Sequence, residues 1–313
     1  MTDANAPLRI ATRQSRLALW QAEHVAARLR AAHPGLEVVL VPMTTQGDRV
    51  LDRALAQVGG KGLLVKELEI ALAANTADIA VHSMKDVPGE LPDGMTLGAM
   101  LTREDPRDAF LSIRWPDFAA LPAGARVGTS SPRRQSQLKA WRPDIETLLL
   151  RGNVDTRLRK LAAGDYDAIV LASAGLNRLG LAAHIREVLD VERSIPAVGQ
   201  GIVGIECRAD DRRSLELTGV LNDRTAALCI TAERAFARRL EGSCQSPIAG
   251  YAELSQNMLT LRGMVGSPDG KRLYRGRVAA PPELAGELGI ELADQLLAGG
   301  AAGLLAELKG KPT

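Results

Sequence analysis

The sequence predicts an α/β protein of two lobes, the second inserted into the first, followed by a small α+β domain. Three observations carry that prediction. Short apolar, strand-like segments alternate with helical ones for about the first two-thirds of the chain, the rhythm of parallel or mixed sheets covered by helices. The rhythm breaks at Thr102-Arg103-Glu104-Asp105-Pro106 and again at Pro196-Ala197-Val198-Gly199-Gln200-Gly201. From about Leu221 it gives way to a helix, antiparallel-looking strands and a helical tail. A length of 313 residues also exceeds the usual size of one domain.

Leu8 to Ala11 reads as the first strand. Ser15 to Ala32 is an amphipathic helix that Ser15 can cap and His33-Pro34-Gly35 ends. Glu37 to Pro42 is the next strand, Lys66 to Asn75 a helix and Ala77 to His82 another apolar strand. Past the first break, Ala125 to Gly128, Glu146 to Leu150 and Asp167 to Ala172 read as strands, with helices at Ser131 to Trp141 and Val154 to Ala163. Ile202 to Cys207 is an apolar segment expected to return to the first sheet. The expected domains are therefore 1–101 with 202–219, the inserted 102–201, and 220–313. In the last, a helix (Thr225 to Leu240) precedes strands around Leu259 to Val265 and Arg272 to Val278, then one or two helices. Two lobes joined by paired crossings are expected to enclose a cleft and to hinge.

Composition narrows the function. Apolar residues make up 46% and charged residues 24%, enough to build cores and to exclude disorder. The 39 basic and 37 acidic residues leave a net charge of only +2, which argues against a nucleic-acid binder while permitting a local basic cleft. The N-terminal MTDANAPLRIATRQS contains no continuous apolar run, so no signal peptide is expected. Apolar stretches such as Asp167 to Ala172 fall far short of the roughly 20 residues of a membrane span. Cys207, Cys229 and Cys244 lack disulfide or zinc-site spacing. A cytoplasmic protein without metal or membrane partner is expected.

The segment Val127-Gly128-Thr129-Ser130-Ser131-Pro132-Arg133-Arg134 is the most informative. A strand ends, Ser131 can cap a helix and Pro132 suits its first position. Arg133 and Arg134 then fall in the first turn, where the helix dipole disfavours cations. They are either solvated arginines or, with Thr129, Ser131 and backbone N–H groups, an anion site in which paired guanidiniums fork onto carboxylates. Arg151-Gly152-Asn153 follows the next strand and leads into a helix carrying Arg157, and Arg13 follows the first strand. Arginines at the carboxyl ends of several strands stand where open α/β sheets bind ligands, and together they point to a cleft for several carboxylates.

Ala80-Val81-His82-Ser83-Met84-Lys85-Asp86-Val87-Pro88 delivers Ser83, Lys85 and Asp86 to such a strand end. Asp86 reads as a turn residue before Pro88, or as a lone carboxylate kept ionised by nearby cations. His82 reads as a satisfied residue at the strand end rather than a base. Cys229 has helical apolar neighbours and Cys207 ends an apolar strand, so both are expected to be structural. Cys244 lies in the loop Leu240-Glu241-Gly242-Ser243-Cys244-Gln245-Ser246-Pro247, and as an attachment point it needs only access and an electrophile. Gly59-Gly60-Lys61-Gly62 lacks the spacing of a phosphate-binding loop. It is expected to form a lid over the cleft with Lys61 as a carboxylate contact.

These stretches resemble the porphobilinogen deaminase family. The resemblance is carried by RIATRQS (9–15), VGGKGLLVKELE (58–69), ADIAVHSMKDVP (77–88), REDPRDAF (103–110), VGTSSPRRQ (127–135), LRGNVDTRL (150–158), AGLNRLG (174–180), PAVGQGIVGIECR (196–208) and LEGSCQSPI (240–248), in order along the chain. It implies two periplasmic-binding-protein-like lobes and a third domain whose Cys244 holds a dipyrromethane cofactor through a thioether. It also implies Asp86 as the catalytic carboxylate. Ser83, Lys85, Thr129, Ser131, Arg133, Arg134 and Arg157 are implied as cofactor-binding, and Arg13, Arg151, Arg178 and Lys61 as substrate-binding. The implied reaction condenses four porphobilinogens head to tail with loss of ammonia, then releases hydroxymethylbilane by hydrolysis. A monomer is implied, with uroporphyrinogen-III synthase receiving the product. Porphobilinogen carries acetate and propionate, so a growing chain needs a row of cations, each charge-assisted bond contributing about 1.5–3 kcal/mol.

Four positions depart from the commoner family pattern: Arg16 replaces proline, Gln57 lysine, Pro132 leucine and Asp155 glycine. Gln57 removes one cationic loop contact. Two rival readings are weaker. A solute- or effector-binding protein has no need of a modified Cys244, and a thiol hydrolase lacks a local His–Cys pairing.

Overall fold

A computed structural model describes residues 6–49, 62–242 and 246–310. They divide into two compact units, one of residues 6–49, 62–104 and 202–227, the other of 105–201, 228–242 and 246–310.

The first unit holds a mixed five-stranded sheet. Its elements are β1 (Leu8–Arg13), α1 (Arg16–Ala32), β2 (Val38–Met43), α2 (Gln46–Arg49), α3 (Lys66–Ala73), β3 (Ile79–Ser83), β4 (Met95–Met100), β10 (Val203–Arg208) and α7 (Arg212–Gly219). The strand order is β2-β1-β3-β10-β4, with β1 parallel to β2 and β3, and β10 antiparallel to both its neighbours. The chain that continues from residue 201 thus adds its strand between β3 and the edge strand β4. The Ser15 hydroxyl accepts from Ala18 N (3.4 Å) at the start of α1. Val25 and Leu29 of that helix pack with Leu8, Ile10, Ile79 and Ile205. On the opposite face, Leu68 and Leu72 of α3 close over Ala11 and Ala80. β3 (IAVHS) is buried along nearly its whole length, which is why it reads as a continuous apolar run.

The second unit carries two sheets. One contains β5 (Asp108–Leu111), β6 (Arg126–Gly128), β7 (Glu146–Leu148), β8 (Ala168–Ala172) and β9 (Glu187–Val188), in the order β7-β6-β8-β5-β9. β6 runs parallel to β7 and β8, whereas β5 is antiparallel to β8. Helices α4 (Pro132–Trp141), α5 (Val154–Ala162) and α6 (Ser173–Arg178) follow β6, β7 and β8. The other sheet is the antiparallel β11 (Ile248–Ser255), β12 (Met258–Gly266) and β13 (Leu273–Ala280). It is packed by α8 (Arg224–Arg239), α9 (Ala285–Leu296) and α10 (Ala302–Gly310). The fold class is the expected one: α/β with mixed sheets, then a smaller α+β element whose sheet is wholly antiparallel. The sequence reading omits β4, β5, β9 and β11. β5 has only four residues and opens on a charge, while β4 is partly exposed along most of its length.

Residues 282–309 are the one helical stretch among the described residues long and apolar enough to cross a membrane. A wide turn at Leu297–Ala301, with Gly300 at φ 113°, interrupts it. Leu288, Leu292, Leu296 and Leu304 are buried with Phe236 and Leu261 in the core of the third sheet. Gly289 sets the approach of α9 to α8: a Cβ there would lie 2.3 Å from the Ala232 carbonyl oxygen and 2.7 Å from Phe236 N. Gly289→Ala is therefore expected to cost about 1–3 kcal/mol, outweighing the gain in helix propensity of up to about 1 kcal/mol. The check is the denaturant midpoint of the variant; an unchanged or higher midpoint would show that the two helices have room to part.

Candidate active site

In the first unit, β1 and β3 lie side by side and parallel, with Ala11 opposite Ala80, so both deliver their carboxyl ends to one sheet edge. β1 ends on Arg13; β3 ends on Ser83 and turns through a single 3-10 turn, Met84–Asp86. Arg13, Gln21, Ser83, Lys85 and Asp86 line a small cavity of about 70 Å3 there. An Arg13 terminal nitrogen stands 3.7 Å from Asp86 Oδ2. The Gln21 side-chain amide donates to Ser83 Oγ (2.9 Å). Sequence reasoning did not find Gln21, which lies on the buried face of α1.

Nor did it find Asp48, in the short helix α2. Asp48 Oδ2 accepts from Arg13 Nε (3.1 Å), and Oδ1 accepts from the second terminal nitrogen of Arg13. Thr45 donates to Asp48 from its backbone N (3.2 Å) and its hydroxyl (2.7 Å). Burial opposes ionisation of Asp48, but the Arg13 hydrogen bond and charge, with the Thr45 bonds, hold its carboxyl below the usual range. The only sequence signal is Thr-Thr-Gln-Gly-Asp, a turn-forming run in which an Asp can bond back to the residue three earlier.

Behind this edge, His82 is buried and its Nε2 lies 2.9 Å from Glu206 Oε2 on β10. It is a paired strand residue, as its setting in an apolar run suggests. Nearby, burial and then the Glu206 charge push the Glu69 carboxyl up.

In the second unit, β6, β7 and β8 are parallel and also end at one edge. Thr129 follows β6 and donates its N–H to Leu148 O at the end of β7 (2.9 Å). The Thr129 hydroxyl accepts from Ser131 N (3.2 Å), and Ser131 Oγ caps α4 by accepting from Arg134 N (3.4 Å). Pro132 occupies the first helical turn, where its missing N–H costs nothing. Arg133 and Arg134 are not solvated: they are 3% and 6% exposed, and both turn onto Asp108, which is 0% exposed. Arg133 meets its two oxygens at 2.8 and 3.0 Å, and Arg134 Nε donates to Oδ1 at 2.9 Å. The Ser194 hydroxyl (2.8 Å) and the Gln200 amide (3.0 Å) donate to the same carboxylate.

Burial alone would raise the Asp108 carboxyl, but two guanidinium charges and their hydrogen bonds drive it far below the usual range. One carboxylate against two cations leaves a buried positive excess, and among the described residues the buried Arg133 Nε has no hydrogen-bond partner. That surplus is the feature of this edge that suits a further anion. Arg151 follows β7. Gly152, at φ 108°, turns the chain where a Cβ would strike Thr156. Asn153 then caps α5 by accepting from Thr156 N (2.9 Å). Arg157 Nε donates to Gly152 O (2.8 Å), and Arg178 donates to Gly201 O (2.7 Å).

Of the residues singled out from sequence, Arg13, Ser83, Lys85 and Asp86 thus gather at one strand-end edge in the first unit, and Thr129, Ser131, Arg133, Arg134, Arg151 and Arg157 follow the ends of β6 and β7 in the second, while Arg178 lies at the far end of α6. Lys61, Gln57 and Cys244 lie outside the described residues. Of the other departures, Arg16 opens α1 and Asp155 lies in the first turn of α5, where a negative charge suits the helix dipole.

Residues 8–216 match the model of "Porphobilinogen deaminase, dipyromethane cofactor binding domain", and residues 227–298 that of "Porphobilinogen deaminase, C-terminal domain". Among solved structures, the periplasmic VFT2 domain of Bordetella pertussis BvgS is 15% identical, covering 68% of this chain and 85% of that one with a TM-score of 0.42. A putative methionine-binding lipoprotein from Bacillus subtilis is 10% identical, covering 72% and 93% with a TM-score of 0.45.

Proposed function

This chain belongs to the porphobilinogen deaminase family, and from that premise we propose that Asp86 is its catalytic carboxylate and Cys244 the anchor of its cofactor. The family's work is synthesis of hydroxymethylbilane in tetrapyrrole biosynthesis, with porphobilinogen as substrate and dipyrromethane as cofactor. The observation that carries the catalytic reading is the placing of Asp86 beside Arg13, Ser83 and Lys85 at one strand edge.

When bound, the dipyrromethane supplies the pyrrole carbon from which the chain is extended. The donor set fits a polycarboxylate of this kind: the second unit has the buried surplus cation of the Arg133–Arg134 pair, and Arg151 and Arg157 follow the neighbouring strand. In our reading Ser83, Lys85, Thr129, Ser131, Arg133, Arg134 and Arg157 hold cofactor groups, while Arg13, Arg151, Arg178 and Lys61 serve the substrate. Asp86 accepts a pyrrole N–H and balances the positive charge that develops on the substrate as ammonia leaves. Its partner Arg13 stands at 3.7 Å, beyond hydrogen-bonding distance, so the facing oxygen keeps a lone pair for the substrate. The reading is completed by four successive condensations, hydrolytic release, a monomeric enzyme and transfer of product to uroporphyrinogen-III synthase.

Intact-protein mass spectrometry tests the anchor. The purified chain is expected to exceed its sequence mass by one dipyrromethane unit, and Cys244→Ser to have its sequence mass and no activity. An unmodified mass in active wild-type protein would sink the assignment.

A further inference from the structure

We infer that Asp48 is a positioning residue of the reaction, clamping the Arg13 guanidinium so that it supports Asp86 electrostatically without bonding to it. The inference deepens the reading of Asp86 as the catalytic carboxylate and rests on it.

A guanidinium offers its donors as planar forks, and a carboxylate that fills one fork fixes the orientation of the whole plane. The Nε fork of Arg13 is filled by Asp48, one oxygen to each nitrogen. Asp48 is itself tied by both the backbone N–H and the hydroxyl of Thr45, and Thr45 is buried. The remaining terminal nitrogen of Arg13 is the one 3.7 Å from Asp86 Oδ2. The side chains of Arg13, Asp48 and Asp86 are 22%, 22% and 25% exposed, so their charges are only partly screened.

Two consequences follow. With its Nε fork committed, Arg13 can offer a substrate carboxylate only the end-on pair of N–H groups on its two terminal nitrogens, one of which is the nitrogen nearest Asp86. Without the clamp, the same guanidinium is long enough to close on Asp86 as a fork. That would occupy the oxygens that must face the substrate and would leave the catalytic carboxylate present but blocked. Asp48 therefore controls how available Asp86 is, which is a rate effect more than a binding effect.

The test compares Asp48→Asn, Arg13→Gln and the double variant for hydroxymethylbilane formation, with Asp86→Asn in parallel. Asp48→Asn is expected to lower kcat about tenfold, in the range found when a supporting hydrogen-bond partner is removed, with KM changed by less than about twofold. The double variant is expected to be no slower than Arg13→Gln alone, because Asp48 acts through Arg13. Thr45→Val, which keeps the Asp48 charge and loosens its anchor, is expected to lower kcat less but in the same sense. A rise in KM at unchanged kcat, normal kcat in Asp48→Asn, or additive losses in the double variant would overturn the inference. If Asp86→Asn is itself near normal, the catalytic reading fails instead. A crippled Asp86→Asn beside a normal Asp48→Asn refutes the clamp alone.

Discussion

Asp86→Asn is expected to lower turnover by about 10² to 10³-fold while leaving the dipyrromethane attached. The side chain closes a one-turn helix after β3 and is half-buried beside Arg13 and Lys85. Asparagine has the same shape, so the Ser83–Gln21 bond and the course of the turn are expected to persist. What disappears is the negative charge opposite the cation formed as ammonia departs, together with one strong acceptor. In a partly desolvated setting, that charge is worth far more than in water. Single-turnover formation of hydroxymethylbilane, with intact mass to establish cofactor loading, is the measurement. Near-normal rates in fully loaded variant protein would reject the role.

Asp108→Asn is expected to destabilise the second unit by about 3–5 kcal/mol, the usual consequence of leaving buried charges without their counter-ion. Two guanidiniums, one serine hydroxyl and one glutamine amide converge on this carboxylate, and an amide can answer only part of them. The pH dependence has a definite sign. Folding depresses the Asp108 carboxyl, so the folded state binds fewer protons here than the unfolded chain. The stabilisation is complete above the ordinary carboxylate range near about pH 4 and is lost as pH falls below it. Wild type is therefore expected to lose stability below about pH 4 more steeply than Asp108→Asn. Denaturant midpoints taken across that range would show it. A variant within about 1 kcal/mol of wild type at neutral pH would mean that the arginines have other anions to hold them.

Much of each strand-end group was legible because it depends on local rules. Ser131-Pro132 and Asn153 mark helix starts whatever else the chain does, and strand ends in a βα rhythm face one way. Those rules place Arg13, Asp86, Thr129 and Arg151 at strand ends from the sequence alone. What they leave dark is where a side chain goes next. Arg133 and Arg134 face inward because Asp108, 25 and 26 residues earlier, opens a buried strand and must be neutralised there. Asp48 and Arg13 are separated by 35 residues, and nothing in the spacing of either announces the pair. An aspartate at the head of an otherwise apolar segment such as Asp108-Ala109-Phe110-Leu111 is the one clue, since a buried charge demands partners.

The placing of β10 between β3 and β4 has a consequence for how the chain matures on the ribosome. Among the described residues β4 has no other neighbour in its sheet, so it waits as a lone ribbon until residues 203–208 emerge, about 100 residues later. By then the five strands of 108–188 are all available to pair among themselves. Nascent chains halted before residue 203 are thus left with β3 unprotected along one side, the state most open to chaperones and to self-association.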